Sequence, residues 1–269
     1  MTDKKNWIYG GVSVTGFSHE EENIPCQDAH ALTCNKNNTF VGVVCDGAGS
    51  ALLSHFGSKV FAEAVVDALT NYPEDRIFPE EAYIRSVIIS AISSAQEKLL
   101  LEYPEVELTT GENKSRRPST IRDFHSTLVA AIANERGGAF IHVGDGVGTA
   151  FSSNNLMASV ISKPENADYA KGGYANQTYF VTESNWEEHL RIKPFYQYCD
   201  TILLMSDGVS GMAMSKGCNH LFEKFVSPLL SFIRDNERED NEVAVKNTLS
   251  KEIVRRATGD DKTLVWAMR

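Results

Sequence analysis

Short apolar runs with strand character recur along the chain. Many are rich in Val, Ile, Thr and aromatic residues and are bounded by Gly, Asn or Asp, which is typical of β-strands. The pattern predicts strands over residues 7–15, 28–34, 39–45, 127–133, 138–143, 147–152, 156–161, 178–181, 200–205 and 263–268.

Other segments repeat their apolar residues every three or four positions, which is the spacing of amphipathic helices. These segments are residues 51–69, 80–101, 218–234 and 241–256. Ser50 is the predicted N-cap of the first helix, and Pro79 lies near the start of the second. Pro228 should kink or divide the third helix, because proline removes a backbone hydrogen bond.

The order of elements predicts an α+β fold. Strands come first, then two helices, many strands, two helices and a final strand, without regular βαβ alternation. Two mostly antiparallel sheets packed as a sandwich, with helices on both outer faces, fit this order. The polar residues 103–123 predict a mobile loop, and residues 162–198, with Gly172-Gly173, predict an irregular insertion. We find no linker that would divide residues 1–269, so we expect one domain.

Composition narrows the class of protein. Hydrophobic residues make up 42% and charged residues 23% of the 269 positions, which is typical of a globular chain. The net charge of −10 argues against nucleic-acid or anionic-membrane surfaces, which favour basic patches. The five cysteines are scattered without a CxxC pair, so we expect reduced thiols rather than a zinc site. Without a signal-peptide core or a membrane-length apolar run, the expectation is a cytoplasmic monomer.

Aspartates stand where several apolar runs end. Three runs close with Asp-Gly, at Asp46, Asp145 and Asp207, while Asp260 precedes the last run and Asp28 opens an early one. Asp-Gly is also a common hairpin turn. That interpretation is strong for Asp145, which apolar runs flank closely on both sides, and weaker for Asp46 and Asp207.

Several carboxylates converging at strand ends would suit a particular chemistry. Mg²⁺ and Mn²⁺ prefer oxygen ligands and keep several waters. Two such ions about 3.5–4 Å apart can hold a phosphoryl group and activate a water molecule. A glycine after the aspartate lets the backbone approach an ion closely. The aspartate pattern therefore indicates a two-metal hydrolase.

The chain resembles the metal-dependent protein phosphatases of the PPM, or type 2C, family, in particular their divergent bacterial branch. The matching segments occur in the family's order and cover nearly the whole chain. They are PCQDA (25–29), VVCDGAGS (43–50), STLVAAIA (126–133), IHVGDG (141–146), LLMSDGVSG (203–211) and GDDKTLVWAMR (259–269).

This resemblance implies a sandwich of two antiparallel sheets flanked by helices, with a binuclear Mn²⁺ or Mg²⁺ centre at one edge. It implies that Asp46 bridges the two metals and that the Gly47 carbonyl is a ligand of one of them. Asp207 and Asp260 would hold the other ion.

The resemblance also assigns supporting residues. Asp145 matches the aspartate of a weaker third metal site in bacterial members, and Asp28 matches the second residue of the family's Glu-Asp pair. Asp261 follows a metal-binding aspartate and would support it. The variable flap of the family falls at residues 162–198, where it would influence substrate choice.

The chain departs from the family pattern at three positions. Gln27 replaces the Glu before Asp28, Asn23 stands where many members have a phosphate-binding arginine, and Ala48 replaces a histidine proposed as general acid. His19, on the preceding loop, is our replacement candidate for one of these roles, since a pKa near 6.5 suits either use. A surface histidine without a role is the alternative.

The resulting prediction is a metal-dependent serine/threonine phosphoprotein phosphatase of bacterial signalling that forms no phospho-enzyme, with Asp46, Asp207 and His19 as catalytic residues. One alternative is a regulatory pseudophosphatase that binds phosphoprotein partners. Another is an unrelated two-metal hydrolase, such as a nuclease or a haloacid-dehalogenase-type phosphatase. The latter needs a second Asp two residues after its nucleophile, whereas Gly47 and Ala48 follow Asp46.

Overall fold

A computed structural model describes residues 6–73, 76–110, 113–165 and 178–269. None of the helices in these ranges combines enough length with enough apolar character to span a bilayer. The fold is an α+β sandwich, as predicted.

Two five-stranded antiparallel sheets form the centre of the sandwich. The first sheet has the order β1 (Ile8–Val14), β12 (Lys262–Met268), β11 (Thr201–Met205), β8 (Val147–Ser152) and β9 (Asn155–Ser162). The second sheet has the order β10 (Arg191–Phe195), β7 (Gly137–Val143), β6 (Leu128–Asn134), β3 (Phe40–Cys45) and β2 (Ala29–Cys34).

Helices cover both outer faces. The helices α2 (Ser54–Thr70) and α3 (Glu81–Glu102) pack against the second sheet. The short α4 (Trp186–His189) packs in the same layer. Against the first sheet pack α5 (Asp207–Ala213), α6 (Glu223–Asp235) and α7 (Arg238–Leu249), followed by α8 (Glu252–Ala257). A six-residue helix, α1 (Phe17–Glu22), follows β1.

Three apolar layers hold these elements together, because each strand alternates its side chains between two faces. Between the sheets lie Phe40, Phe140 and Val265, all fully buried. One outer layer joins the second sheet to α2 and α3, and the other joins the first sheet to α5, α6 and α7. This layering fixes the two sheets face to face.

The prediction of a mobile loop over residues 103–123 was wrong. The hairpin β4 (Glu105–Thr110) and β5 (Asn113–Pro118) forms there, followed by a 3₁₀ turn at Ile121–Phe124. Its charged side chains pair across the strands, for example Lys114 with Glu107 at 2.7 Å. Polar composition hid these strands, because cross-strand ion pairs replace an apolar face.

Two further predictions were wrong, the strand over residues 178–181 and the irregular structure of residues 191–195. Residues 191–195 form β10, which pairs with β7 at the edge of the second sheet. Residues 178–181 form no strand, and Val181 instead hydrogen-bonds through its N–H to the Ser126 carbonyl. The Gly172-Gly173 pair lies outside the described residues, so the flap stays a prediction.

Two helix details differ from expectation. Leu53 rather than Ser50 is the N-cap of α2, because residues 48–53 first form turns that include the Ala51 N–H to Ala48 carbonyl bond. Pro228 does not divide the predicted third helix, since α6 runs continuously from Glu223 to Asp235.

Candidate metal centre

The aspartates singled out in the sequence meet at one end of the sandwich. Asp46 follows β3, Asp145 lies between β7 and β8, Asp207 opens α5 after β11, and Asp260 precedes β12. The charges of Asp28, Asp145, Asp207 and Asp260 all raise the pKa of Asp46, so five carboxylates share one electrostatic environment.

Asp46 lies at the centre of this group. Its N–H donates to the Thr127 hydroxyl at 3.1 Å, and its carbonyl accepts the Thr127 N–H at 2.8 Å. These bonds tie the end of β3 to the start of β6. Burial, followed by the neighbouring aspartate charges, raises the pKa of Asp46 well above its usual value, as expected for crowded carboxylates.

Gly47 lies where a side chain has no room. A Cβ there would stand 2.6 Å from the Gln27 carbonyl oxygen and 2.9 Å from Cβ of Ser54. Gly47 and Ser126 form an isolated antiparallel β-bridge. Its two hydrogen bonds run from the Thr127 N–H to the Asp46 carbonyl and from the Ala48 N–H to the His125 carbonyl. The Gly47 carbonyl takes no part in these two bonds.

Asp207 is exposed at the start of α5, after the N-cap Ser206. Although part of the residue faces solvent, desolvation of its carboxylate beside the cluster, then the charges of Asp145 and Asp260, raises the pKa of Asp207 to about 6. Hydrogen bonding with Asp46 acts in the opposite direction. Asp46 and Asp207 are therefore direct neighbours, although they follow strands of different sheets.

Asp28 is the most buried carboxylate of the group, with 6% of its surface exposed. Neither carboxylate oxygen has a hydrogen-bond partner within normal geometry. Burial and the charges of Asp261 and Asp207 raise its pKa to about 8, while the nearby hydroxyls of Ser206 and Thr263 lower it. An unpaired buried carboxylate is costly, so this position suits a cation or a metal-bound water network.

Asp145 does not occupy a hairpin turn. The strand before it, β7, belongs to the second sheet, and the strand after it, β8, belongs to the first. The connection crosses between the sheets through Gly144, whose φ of +109° favours glycine. Thr178 donates to Asp145 Oδ2 at 2.6 Å, whereas the buried Oδ1 has no partner.

Asp260 and its neighbour Asp261 have different environments. Asp260 is exposed, and its Oδ1 accepts the Asp261 N–H at 2.9 Å. Asp261 is buried and accepts the N–H groups of Gly16 and Gln27, both at 2.6 Å. Asp261 thereby holds two loops in place, which agrees with the supporting role that the resemblance implied.

His19 lies on α1 with Nδ1 3.0 Å from Asp261 Oδ2, a distance that suits an ion pair when the ring is protonated. Among the three substituted positions, Gln27 is buried and its Oε1 has no partner. Asn23 is exposed at the end of α1 with a φ of 55°. The structure thus places His19 beside Asp261, and Asn23 at the surface.

Lys262 is a site residue that the sequence analysis missed. Its side chain is almost fully buried, and its Nζ donates to the Asp260 carbonyl at 2.6 Å. Burial lowers its pKa, while the charges of Asp260, Asp261 and Asp28 raise it. A lysine opening a run of apolar residues was the available signal, because such a residue needs a buried partner.

The residues present fit a hard divalent ion. The oxygen donors match Mg²⁺ and Mn²⁺, and a cation would satisfy the unpartnered oxygens of Asp28 and Asp145. In the four described ranges, no three His, Cys, Asp or Glu side chains stand together as ready ligands of one ion. Mg²⁺ usually keeps several waters and takes one or two protein carboxylates.

The fold and this site define a class of protein. The family model for protein phosphatase 2C matches residues 15–252, a span that contains all the aspartates described except Asp260 and Asp261. The chain belongs to the protein phosphatase 2C family.

Individual relatives resemble the chain over nearly its whole length. It is 24% identical over 271 residues to serine/threonine-protein phosphatase 3 of Escherichia coli K12, covering 98% of each chain. The fold is similar to that of the serine/threonine phosphatase Stp1 from Staphylococcus aureus, with a TM-score of 0.60, 17% identity and coverage of 100% and 97%. It is also similar to the catalytic domain of PstP solved with two manganese ions, with a TM-score of 0.58, 15% identity and 97% coverage of each chain.

Proposed function

We propose that this chain is a metal-dependent protein-serine/threonine phosphatase that hydrolyses phosphate monoesters of phosphoprotein substrates at a binuclear Mn²⁺ or Mg²⁺ centre. The observation that carries the proposal is the convergence of Asp28, Asp46, Asp145, Asp207 and Asp260 at one end of the sandwich. Family membership and the relatives named serine/threonine phosphatase support the substrate class.

Each site residue has a defined task in this proposal. Asp46 would lie between the two ions, the Gly47 carbonyl would contact one, and Asp207 and Asp260 would hold the other. Asp145 would contribute to a weaker third site, held in orientation by Thr178. When bound, two such ions activate a water for in-line attack and neutralise the phosphoryl oxygens.

The chain's own residues would prepare the site for this reaction. Thr127 fixes the backbone of Asp46 from both sides, and Asp261 fixes the loops that carry Gly16 and Gln27. Asp28, buried and without a hydrogen-bond partner, would accept hydrogen bonds from water in the site. No side chain needs to form a covalent bond to phosphate.

The test is hydrolysis of phospho-Ser, phospho-Thr and phospho-Tyr peptides and an aryl phosphate, with and without Mn²⁺. We expect Mn²⁺-dependent release of phosphate, with phospho-Ser and phospho-Thr preferred. Asp46→Asn should remove this activity and keep the fold, as judged by circular dichroism. Mn²⁺-dependent hydrolysis that survives in Asp46→Asn contradicts the proposal, whereas Mn²⁺ binding without any hydrolysis by the wild type indicates a pseudophosphatase.

His19 would contact the substrate phosphate or protonate the leaving group. Its ring lies beside Asp261, with Nδ1 3.0 Å from Oδ2, and so borders the candidate metal centre. General-acid catalysis contributes about 10²–10⁴-fold, so His19→Ala should lower kcat by about 10²-fold and flatten one limb of the pH profile. His220→Ala, which alters an exposed histidine beside Phe222, is the matched control. Equal activity in both variants assigns no catalytic role to His19.

A further inference from the structure

A group of cationic side chains lies at the edge where β10 of the second sheet faces β9 of the first. In the β10–β7 pairing, Arg191 stands opposite His142 and Lys193 opposite Phe140. Directly paired residues point to the same face of a sheet. Phe140 belongs to the layer between the sheets, so Arg191, Lys193 and His142 lie on that inner face. We call these three residues the edge cluster.

The edge cluster reaches across to the end of the opposite sheet. Arg191 Nη1 donates to the Lys163 carbonyl at 2.7 Å, and Lys193 Nζ donates to the Ile161 carbonyl at 2.7 Å. Between them, His142 Nδ1 lies 2.9 Å from the Ser162 hydroxyl. All these partners are neutral, so none of them compensates the positive charges of Arg191 and Lys193.

The remaining donors of Arg191 are buried without an acceptor. Both Nε and Nη2 lack a hydrogen-bond partner, as does Nε2 of the fully buried His142. Nε–H and Nη2–H form the side of the guanidinium that binds a carboxylate or a phosphate through two parallel bonds. Leaving such charged donors buried and unpaired is unfavourable, because their lost hydration is not replaced. Arg191 therefore holds two adjacent buried donors without an acceptor.

Electrostatics points to an anion as the missing partner. Burial lowers the pKa of Arg191, and the nearby Glu165 opposes this effect. The charges of Lys163 and Arg191 add to burial in lowering the pKa of Lys193. Glu165 Oε2 also lies 3.0 Å from His189 Nδ1, so this carboxylate is shared with a second partner. In a chain of net charge −10, Lys163, Arg191 and Lys193 form a local concentration of positive charge.

The edge cluster borders the candidate metal centre without belonging to it. His142 precedes Asp145 by three positions on the same connection, and the Gly144 carbonyl acts on its ring. Burial, and then the charge of Arg191, lowers the pKa of His142 well below its usual value. His142 is therefore neutral, and the anion-binding charge comes from Arg191 and Lys193.

We propose that the edge cluster is a second phosphate site, in which Arg191 binds two phosphate oxygens and Lys193 supplies a further charge. A tetrahedral phosphate suits donors that approach from several directions better than a planar carboxylate does. Free phosphate, which the proposed reaction releases, and the phosphate group of a phosphoprotein share this chemistry. The site needs no metal ion, so it goes beyond the proposed function and stands separately from it.

The experiment uses the full chain in EDTA, so that no metal-dependent reaction contributes. Inorganic phosphate is titrated while thermal unfolding and the heat of binding are measured. A ligand that binds only the folded state raises Tm in proportion to RT ln(1 + [L]/Kd). We expect phosphate to raise the Tm of the wild type, and Arg191→Met to weaken phosphate binding at least tenfold. Arg136→Met, which alters an arginine lying over Phe78 at the opposite end, should bind as the wild type does.

Arg191→Lys provides a second test if Arg191→Met does not fold. Lysine keeps the charge but lacks the two-pronged donor, so phosphate binding should weaken in this variant also. In the wild type, phosphate should shift the side-chain NMR signals of His142. The proposal is overturned if phosphate does not bind in EDTA, if it binds equally to Arg191→Lys, or if formate stabilises the protein more than phosphate does.

A phosphoserine peptide distinguishes the two sources of phosphate. If free phosphate binds through Arg191 and the peptide does not compete, the site holds free phosphate. If the peptide competes and Arg191→Met removes its binding, the site holds a phosphate group on a protein. Either result supports the edge cluster, and neither depends on Mn²⁺-dependent hydrolysis.

Discussion

The two ends of the sandwich are built from the same strands but differ in whether their carboxylates have hydrogen-bond partners. At one end, which we call the hairpin end, β2 joins β3, β6 joins β7 and β8 joins β9 through short turns. At the other, which we call the acidic end, lie Asp28, Asp46, Asp145, Asp207 and Asp260.

Asp200 at the hairpin end shows how a carboxylate is normally satisfied. Its oxygens accept the Ser153 N–H at 2.7 Å, the Thr201 hydroxyl at 2.7 Å and the Ser153 hydroxyl at 3.1 Å. Asp28 at the acidic end is more buried and has no such partner. The fold can therefore supply hydrogen-bond donors to a carboxylate. At the acidic end, where a cation would bind, Asp28 lacks such donors.

The largest difference between the two ends should be in activity. Asp207→Asn should lower Mn²⁺-dependent phosphatase activity by about 10³-fold, because the loss of a metal ligand removes several kcal/mol of transition-state stabilisation. Asp200→Asn should leave kcat/KM within about twofold of the wild type. Steady-state kinetics on a phosphopeptide measures both variants. Similar losses in both would remove the distinction between the ends.

The pH dependence of metal-free stability should reflect the acidic end. The folded-state pKa values of Asp28 (about 8) and Asp207 (about 6) lie above those of the unfolded chain. The folded state therefore binds more protons, and stability is lost as pH rises through these values. Between pH 5 and pH 8 in EDTA, Tm should fall by about 5 °C or more, for a net change of roughly 2 kcal/mol.

Saturating Mn²⁺ should reduce the fall in Tm between pH 5 and pH 8, because bound cations favour the charged form of the carboxylates. Differential scanning calorimetry over the same pH range measures both conditions. A metal-free Tm that rises steadily toward pH 8 contradicts the raised pKa values.

The two ends should respond oppositely to neutral substitutions. Above pH 8, where Asp28 is ionised, Asp28→Asn removes a buried, unpaired charge and should stabilise the metal-free protein by about 1 kcal/mol. Asp200→Asn weakens charge-assisted hydrogen bonds and should destabilise it by about 1–2 kcal/mol. Urea unfolding in EDTA compares the two variants. Destabilisation by both would show that Asp28 already has a stabilising partner in the metal-free protein.

The smallest effect is expected from a single hydroxyl at the hairpin end. Ser153→Ala removes the bond from the Ser153 hydroxyl to Asp200 Oδ2 but keeps the backbone bond to Oδ1. A loss of about 0.5–1 kcal/mol in the free energy of unfolding follows, with unchanged activity. A change in KM would mean that the hairpin end acts on the active site.

The sequence predicted elements whose hydrophobic pattern decides their structure. Fully buried strands such as β3 and β6 read as continuous apolar runs, and α3 has regular helical spacing. The strand β10 was missed because Arg191 and Lys193 occupy its inner face, a pattern that suggests a loop. Residues 178–181 look like a strand, yet they pack beside Asp145 as a loop, which only tertiary contacts decide.

The residues of the candidate site could be predicted from the sequence, but their interactions could not. Asp46, Asp207 and Asp260 stand out because Asp follows or precedes apolar runs in a recognisable order. Sequence spacing could not show that Asp145 lies between two sheets, and a turn was the natural interpretation. Nor could it show that Lys262 is buried with its Nζ bonded to the Asp260 carbonyl, because burial of one side chain depends on the whole fold.

The distribution of the proposed ligands over two sheets has a mechanical consequence. Asp46 follows a strand of the second sheet, whereas Asp207 and Asp260 border strands of the first. The thickness of the layer that contains Phe40 and Phe140 therefore sets how far apart these carboxylates stand. A substitution such as Phe140→Leu, in the layer between the sheets, would let the sheets approach or slide. The spacing between the two proposed ions would then report on the packing of the protein's interior.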